Sequence, residues 1–338
     1  MTTDNVSTEP GAAATSVAGE VRSAAKRNRL LRILQGQGLL VVLAALVVFF
    51  AVKSPAFLEV GNFLAIGAVS GVLGVMAITQ TFLIISGGID ISIGSAAAVS
   101  GVILGRAYEA DVNIWAAVVI ALLVGGAIGA LNGLITVRLK INPLVTTLGT
   151  YSVFLGLSYV ISNATTLVIS DKAFSFLGSG KIFGIPVPLI IFVVALLIGL
   201  LVERRTATGR AIFAIGGNLE AARLSGIRIN LIRFLLYLLS GLSAGVAGIV
   251  LTAQLSTSSP NIGSAYLLSV VTAVILGGTS LQGGRGSLAG TLVAVVILGV
   301  LQNGFALLSV SSFAQTMVLG IFLIGAVLLD QTVRGLRR

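Results

Sequence analysis

The sequence predicts an all-α polytopic membrane protein of about ten transmembrane helices, some short or broken, with both termini cytoplasmic. Three observations carry this expectation. Of 338 residues, 56% are hydrophobic and only 9% are charged, whereas a soluble domain carries about 25% charged residues. The apolar residues fall into runs of about the 17–25 residues that span a bilayer as a helix. The basic residues collect in every second gap between those runs, the pattern of cytoplasmic loops.

Residues 1–28 are rich in Thr, Ser, Ala and Gly without an apolar period, and read as a disordered tail. Arg22, Lys26, Arg27, Arg29 and Arg32 make 1–35 a basic tail that holds the N-terminus inside. No secretory cleavage pattern follows the first apolar run. Apolar segments come next at 36–52, 60–86, 91–106, 113–136, 143–162, 186–202, 231–255, 264–279, 287–308 and 312–329. The third and eighth are short and lie beside Gly-Gly pairs, so each reads as a crossing helix, a half-helix or a re-entrant segment. Eight or nine crossings therefore stay open beside ten. Alternation from a cytoplasmic N-terminus leaves only Lys53, Arg106, Lys172 and Lys181 of the 21 basic residues outside. Removing one crossing in the middle would put basic loops on opposite sides. Residues 36–330 thus form one transmembrane domain, with a cytoplasmic loop at 203–233 and a basic tail at 331–338.

Composition also excludes chemistry. Without Cys or His, thiol catalysis, zinc sites and imidazole proton shuttles are absent, and no catalytic or metal-binding residue is assigned. The net charge of +10 reads as positive-inside topology plus attraction to the lipid bilayer, not as nucleic-acid binding, because no basic patch alternates with aromatics. The Gly-rich run from Gly278 to Arg285 lacks the lysine and following hydroxyl of a phosphate-cradling loop. It reads as a turn between two membrane helices.

The loop 203–233 carries Arg204, Arg205, Arg210, Arg223, Arg228 and Arg233. Within it, Glu220-Ala221-Ala222-Arg223-Leu224-Ser225-Gly226 predicts a short helix that begins at Gly217 or Asn218 and ends at Gly226. Such a helix is either a solvated linker or an element that docks into a partner's groove. A second singular feature is Asp90, in a run that includes Gly87, Gly88 and Gly94. An aspartate at a membrane helix centre costs about 2.5–3.5 kcal/mol. Asp90 therefore belongs at a membrane face, in a water-filled cavity or against a helix N-terminus, as an N-cap or a solute contact. Neutral polar residues within apolar helices are Gln80, Asn132, Asn142, Thr146, Thr147, Gln254, Gln302, Asn303 and Gln315. They line a solute path or bond helix to helix, the latter worth under about 2 kcal/mol each. Trp115 reads as an interfacial anchor.

Three stretches together resemble a known family: GGIDISIGS at 87–95, GRAIFAIGGNLEAARLSGI at 209–227, and ILGGTSLQGGRGSLAGTLVAVVILGVLQNG at 275–304, which holds Gly277, Gly278, Gly283 and Gly284. The chain is similar, over roughly 36–330, to the permease subunit of bacterial ABC monosaccharide importers, the ribose/xylose/autoinducer-2 permease family. The I-x-L-P ending of the broader importer pattern is absent after Gly226. The resemblance implies a pair of permeases in the inner membrane. Each presents Glu220, Ala221, Ala222, Arg223 and Gly226 to a cytoplasmic ATPase, and an extracytoplasmic binding protein delivers the sugar. It implies no cofactor on this chain, with ATP and Mg used by the ATPase. The alternative is a self-contained secondary transporter or channel with broken helices at the two Gly-Gly sites.

Overall fold

The computed structural model describes residues 38–335. The basic N-terminal tail expected over 1–35 lies outside the described residues. The described chain is built from helices: α1 (Gly38–Lys53), α2 (Val60–Ile85), α3 (Ile93–Glu109), α4 (Ile114–Gly133, widened to a π-turn over Leu134–Arg138), α5 (Pro143–Ser162), α6 (Lys172–Ser179), α7 (Val187–Arg205), α8 (Ala207–Gly217), α9 (Leu219–Leu224), α10 (Ile229–Leu255), α11 (Ser264–Leu276), α12 (Leu288–Leu307) and α13 (Ser312–Gly335). Two-residue strands pair Leu167–Val168 with Thr257–Ser258 and Lys181–Ile182 with Ile185–Pro186. Each of the ten expected apolar segments is a helix. Because α13 runs on to Gly335, the basic tail expected over 331–338 begins inside that helix.

Among the described residues, six helices are long and apolar enough to cross a membrane: α2, α4 with its π-turn, α5, α7, α10 and α12. Polar caps start several of the chain's helices. Asn113 accepts from the Trp115 amide for α4, and Asn142 from Leu144 for α5. Asp171, Thr206, Asn218 and Ser287 do the same for α6, α8, α9 and α12.

The third and eighth segments, which lie beside Gly-Gly pairs, form short helices. α3 has 17 residues and α11 has 13, or about 25 and 20 Å at 1.5 Å per residue, less than the roughly 30 Å hydrocarbon core. Their N-termini meet: a Cβ on Gly94 would sit 2.8 Å from the Gly263 carbonyl oxygen. From that meeting point they run to opposite ends of the bundle. α3 ends where the Arg106 Nε donates to the Ile161 carbonyl, at the close of α5 (2.7 Å). α11 ends against the first turn of α12, whose Leu288 amide donates to Glu203 at the close of α7 (3.1 Å).

The packing follows an inverted symmetry. α3 packs on α4 and α5, and α11 packs on α12 and α13. Each long helix then serves the other half: α2 packs against α11 and α12, while α10 packs against α3 and α4. The α4–α10 contact is drawn tight by glycines. A side chain on Gly125 or Gly129 would strike the backbone of Gly241 or Tyr237, the small-residue approach that replaces hydrophobic driving force in lipid. α2 is 83% buried along its span, whereas α5 is 22% and α7 28%, so α2 forms the axis and α5 and α7 the rim.

Candidate functional site

The three sequence stretches singled out above converge at one place, the end of α2. There the Ile85 carbonyl accepts the Gly284 amide (2.8 Å). A Cβ on Gly216, in the last turn of α8, would overlap that same carbonyl oxygen. A Cβ on Gly283 would lie 3.1 Å from it and 3.2 Å from the Gly87 Cα, and one on Gly284 would lie 2.7 Å from the Gly217 Cα. Four backbone segments therefore touch without side chains between them: the end of α2, the turn at Gly87, the end of α8 and the Gly283–Gly284 turn before α12. Side-chain rotamers do not cushion such a contact, so displacement of α8 bears directly on α2 and on the α11–α12 turn.

Three helix ends within the same sequence stretches share one termination. α2, α9 and α11 each close with a left-handed glycine, at Gly87 (φ 81°), Gly226 (φ 75°) and Gly278 (φ 86°). In each case the following amide bonds back across the turn, Gly88 to Leu83, Ile227 to Ala222 and Thr279 to Val274. Gly277 and Gly290 supply another close backbone contact, between α11 and α12.

A polar knot lies directly above the junction, in the loop between α2 and α3. Asp90 is buried. Its Oδ1 accepts from the Ser92 amide (2.9 Å) and Ser92 Oγ (2.6 Å), and its Oδ2 accepts from Ser240 Oγ on α10 (2.7 Å). Asn132 Nδ2 on α4 donates to Ser92 Oγ (2.7 Å). Thr147 and Tyr237 each donate to the Ile89 carbonyl at 3.4 Å, and Arg233 Nη2 donates to the Ser86 carbonyl at 2.7 Å. The N-cap reading of Asp90 needs correction. The residue that caps α3 by position is Ser92, whose side chain makes no capping bond. Asp90 instead folds an Asx-type turn onto Ser92 and cross-links it to α10. Helices α4, α5 and α10 thus hold one loop through its carboxylate and its carbonyls.

The short helix expected to begin at Gly217 or Asn218 is α9, started by Asn218 and ended by Gly226. Ala222 is buried, while Glu220, Ala221 and Arg223 face outward. Leu224 is 81% exposed and Leu219 47%, an apolar pair on a helix that otherwise shows charge. The loop also contains α8, which the sequence reading did not anticipate. Its signal was Thr206 followed by Ile212 and Ile215 at helical spacing. Both isoleucines are buried, and α8 packs against α7 and α2.

The nominated path residues do not gather in one place. Asn132 and Thr147 belong to the knot, and Asn142 is exposed and committed to capping α5. Gln80 is fully buried on α2 with neither amide atom hydrogen-bonded to protein, and Thr146 Oγ1 is likewise buried and unbonded. Gln302 and Asn303 sit half-buried near the far end of α12, away from the knot. Trp115 is half-exposed in the first turn of α4, as an interfacial residue is.

Comparison with known proteins adds independent findings. Residues 62–327 match the family described as branched-chain amino acid transport system / permease component. The chain is 38% identical over 314 residues to the ribose import permease protein RbsC of Bacillus subtilis (strain 168), which covers 92% of this chain and 98% of the relative. It is 35% identical over 300 residues to the L-arabinose transport system permease protein AraH of Escherichia coli (strain K12), covering 89% and 92%. It is 33% identical over 318 residues to the L-arabinose ABC transporter permease protein AraH of Azospirillum brasilense, covering 94% of each. No solved structure matches the chain.

Proposed function

This chain belongs to the branched-chain amino acid transport system / permease component family, and from that membership we propose that it is the membrane-spanning subunit of an ATP-binding-cassette importer for a monosaccharide. The relatives are named for ribose and L-arabinose, both pentoses, so a pentose is the substrate class this reading favours. The partners it entails are a second permease, a cytoplasmic ATPase that uses ATP and Mg, and an extracytoplasmic sugar-binding protein.

The observation that carries the reading is the junction at Ile85. A protein that supplied its own driving force would need no exposed cytoplasmic helix pair between α7 and α10. Here α9 offers Leu219, Glu220, Arg223 and Leu224 to the outside, while α8 rests its last turn on the α2 backbone. In this reading the ATPase grips α9, and its movement passes through α8 into α2 and the α11–α12 turn. ATP biases the outward and inward states only as far as the ATPase grips one of them more tightly. The chain's own residues then open and close the path. Asp90, Ser92, Asn132 and Ser240 keep the α2–α3 loop attached to α10 as it moves.

Reconstitution in liposomes with the cognate ATPase and binding protein tests this. Ribose or arabinose on the binding protein should stimulate ATP hydrolysis and drive uptake, and the chain alone should accumulate no sugar. Accumulation by the chain alone on a sodium or proton gradient would replace this reading with a secondary transporter. Gly226→Asp should insert normally and lose uptake while ATP hydrolysis persists, because the left-handed turn that ends α9 no longer sets its angle. Wild-type uptake by that variant would remove α9 from the coupling route.

A further inference from the structure

A cavity of about 710 Å³ opens between the α4–α5 connection and the start of α10, on the same side as α9. Its walls carry Lys140, Arg223, Arg228 and Arg233 against one acid, Glu220. None of these five forms an ion pair: among the described residues the one salt bridge is Arg106–Glu109 at the opposite end of the bundle. Arg233 binds the Ser86 carbonyl through Nη2, yet its buried Nε has no partner. Four cations around a single cavity repel one another, and an anion between them removes that cost.

The rim of the cavity is apolar. Ile141 and Leu231 line it. Leu139, Leu144 and Val145, close in sequence to its lining residues Lys140 and Pro143, are 65%, 50% and 61% exposed at the end of the π-turn and the start of α5. A free anion makes no use of that rim, whereas an amphiphile does. Basic pockets between membrane helices on the cytoplasmic side suit phospholipid head groups.

We propose that this cavity binds the phosphate head group of an anionic phospholipid from the cytoplasmic leaflet, held by Lys140, Arg228 and Arg233, with the acyl chains along Leu144, Val145 and Leu231. The bound lipid would brace the end of α4 against the start of α10, two helices that also hold the α2–α3 loop through Asn132 and Arg233.

The test uses the full chain, purified in mild detergent and examined by native mass spectrometry. Supplied with phosphatidylglycerol or phosphatidylcholine, the protein should retain phosphatidylglycerol in preference. The double variant Lys140→Gln/Arg228→Gln should bind phosphatidylglycerol about thirtyfold more weakly, the effect of removing two cations at a lipid head group. Arg204→Gln/Arg205→Gln, charges outside the cavity, should leave retention unchanged and so control for general loss of basic charge. The single variant Arg228→Gln, checked for monodispersity, covers the case in which the double variant fails to fold. Millimolar inorganic phosphate should not displace the lipid. Displacement would reassign the cavity to free phosphate. Equal retention by wild type and both cavity variants overturns the proposal. So does unchanged lipid retention with loss of ATPase co-purification, which would assign the cavity to an acidic segment of that partner. None of these readouts requires transport, so failure of the importer reading and failure of this one are distinguishable.

Discussion

The two halves of the bundle share a plan and differ in how each holds its broken helix. In the first half the α2–α3 loop is secured by side chains. Asp90 and Ser92 within the loop bond to each other, and Asn132 on α4, Thr147 on α5, and Ser240 and Arg233 on α10 reach it from three helices. In the second half the α10–α11 connection is secured mostly by backbone. Thr257 and Ser258 pair with Val168 and Leu167, the Ile169 amide donates to the Ser256 carbonyl, and Ser158 Oγ donates to the Pro260 carbonyl. A loop with three of its bonds on one buried carboxylate loses all three at once when that group is lost. A loop held by several equivalent backbone bonds changes a little at a time. The loop with the concentrated fastening is the one beside the junction with α8.

That contrast sets an order of effects. The largest should come from Asp90→Ala, which strips the acceptor from three buried donors, the Ser92 amide and hydroxyl and the Ser240 hydroxyl. A loss of about 3 kcal/mol or more is expected, read as a large fall in melting temperature in detergent and faster hydrogen exchange across 86–95. An Asp90→Ala protein that melts with wild type would end the distinction between the halves. Next comes Gly216→Ala. Its methyl meets the Ile85 carbonyl, and overpacking of this kind costs about 1–3 kcal/mol. Because the contact links α8 to α2, sugar-stimulated ATP hydrolysis and uptake should separate, with hydrolysis persisting after uptake falls. Uptake that scales only with the amount of folded protein would reduce the junction to packing. The smallest effect should come from Ser158→Ala in the second half. It removes one of several ties and is expected to cost about 1 kcal/mol. A Ser158 variant as damaging as Asp90→Ala would show that both loops depend on single side chains.

Much of this arrangement is legible along the chain because it is local. Apolar run lengths place the spans. Asn218 and Gly226 mark the ends of α9, since a cap and a left-handed glycine act within one turn of the residues they serve. The Gly-Gly pairs mark the break before α3 and the end of α11. The partners of Asp90 are not legible in this way. Ser240 lies 150 residues away and looks like any hydroxyl in an apolar helix, so Asp90 reads as a cap when it is a cross-link. Asn142 reads as a path residue because it borders an apolar run, when its side chain is occupied by the Leu144 amide. α8 goes unseen because arginines and glycines surround its few apolar residues, and only packing against α2 shows which face is buried.

What the residues alone determine here is therefore the membrane class and the helix ends, because run length and capping act over a few neighbouring residues in contact with lipid or water. What only the tertiary structure decides is that Gly216, Gly283 and Gly284 meet at one carbonyl, and that one carboxylate ties two halves together. Those contacts depend on how helices distant in sequence approach one another, and glycine permits such an approach without specifying its partner.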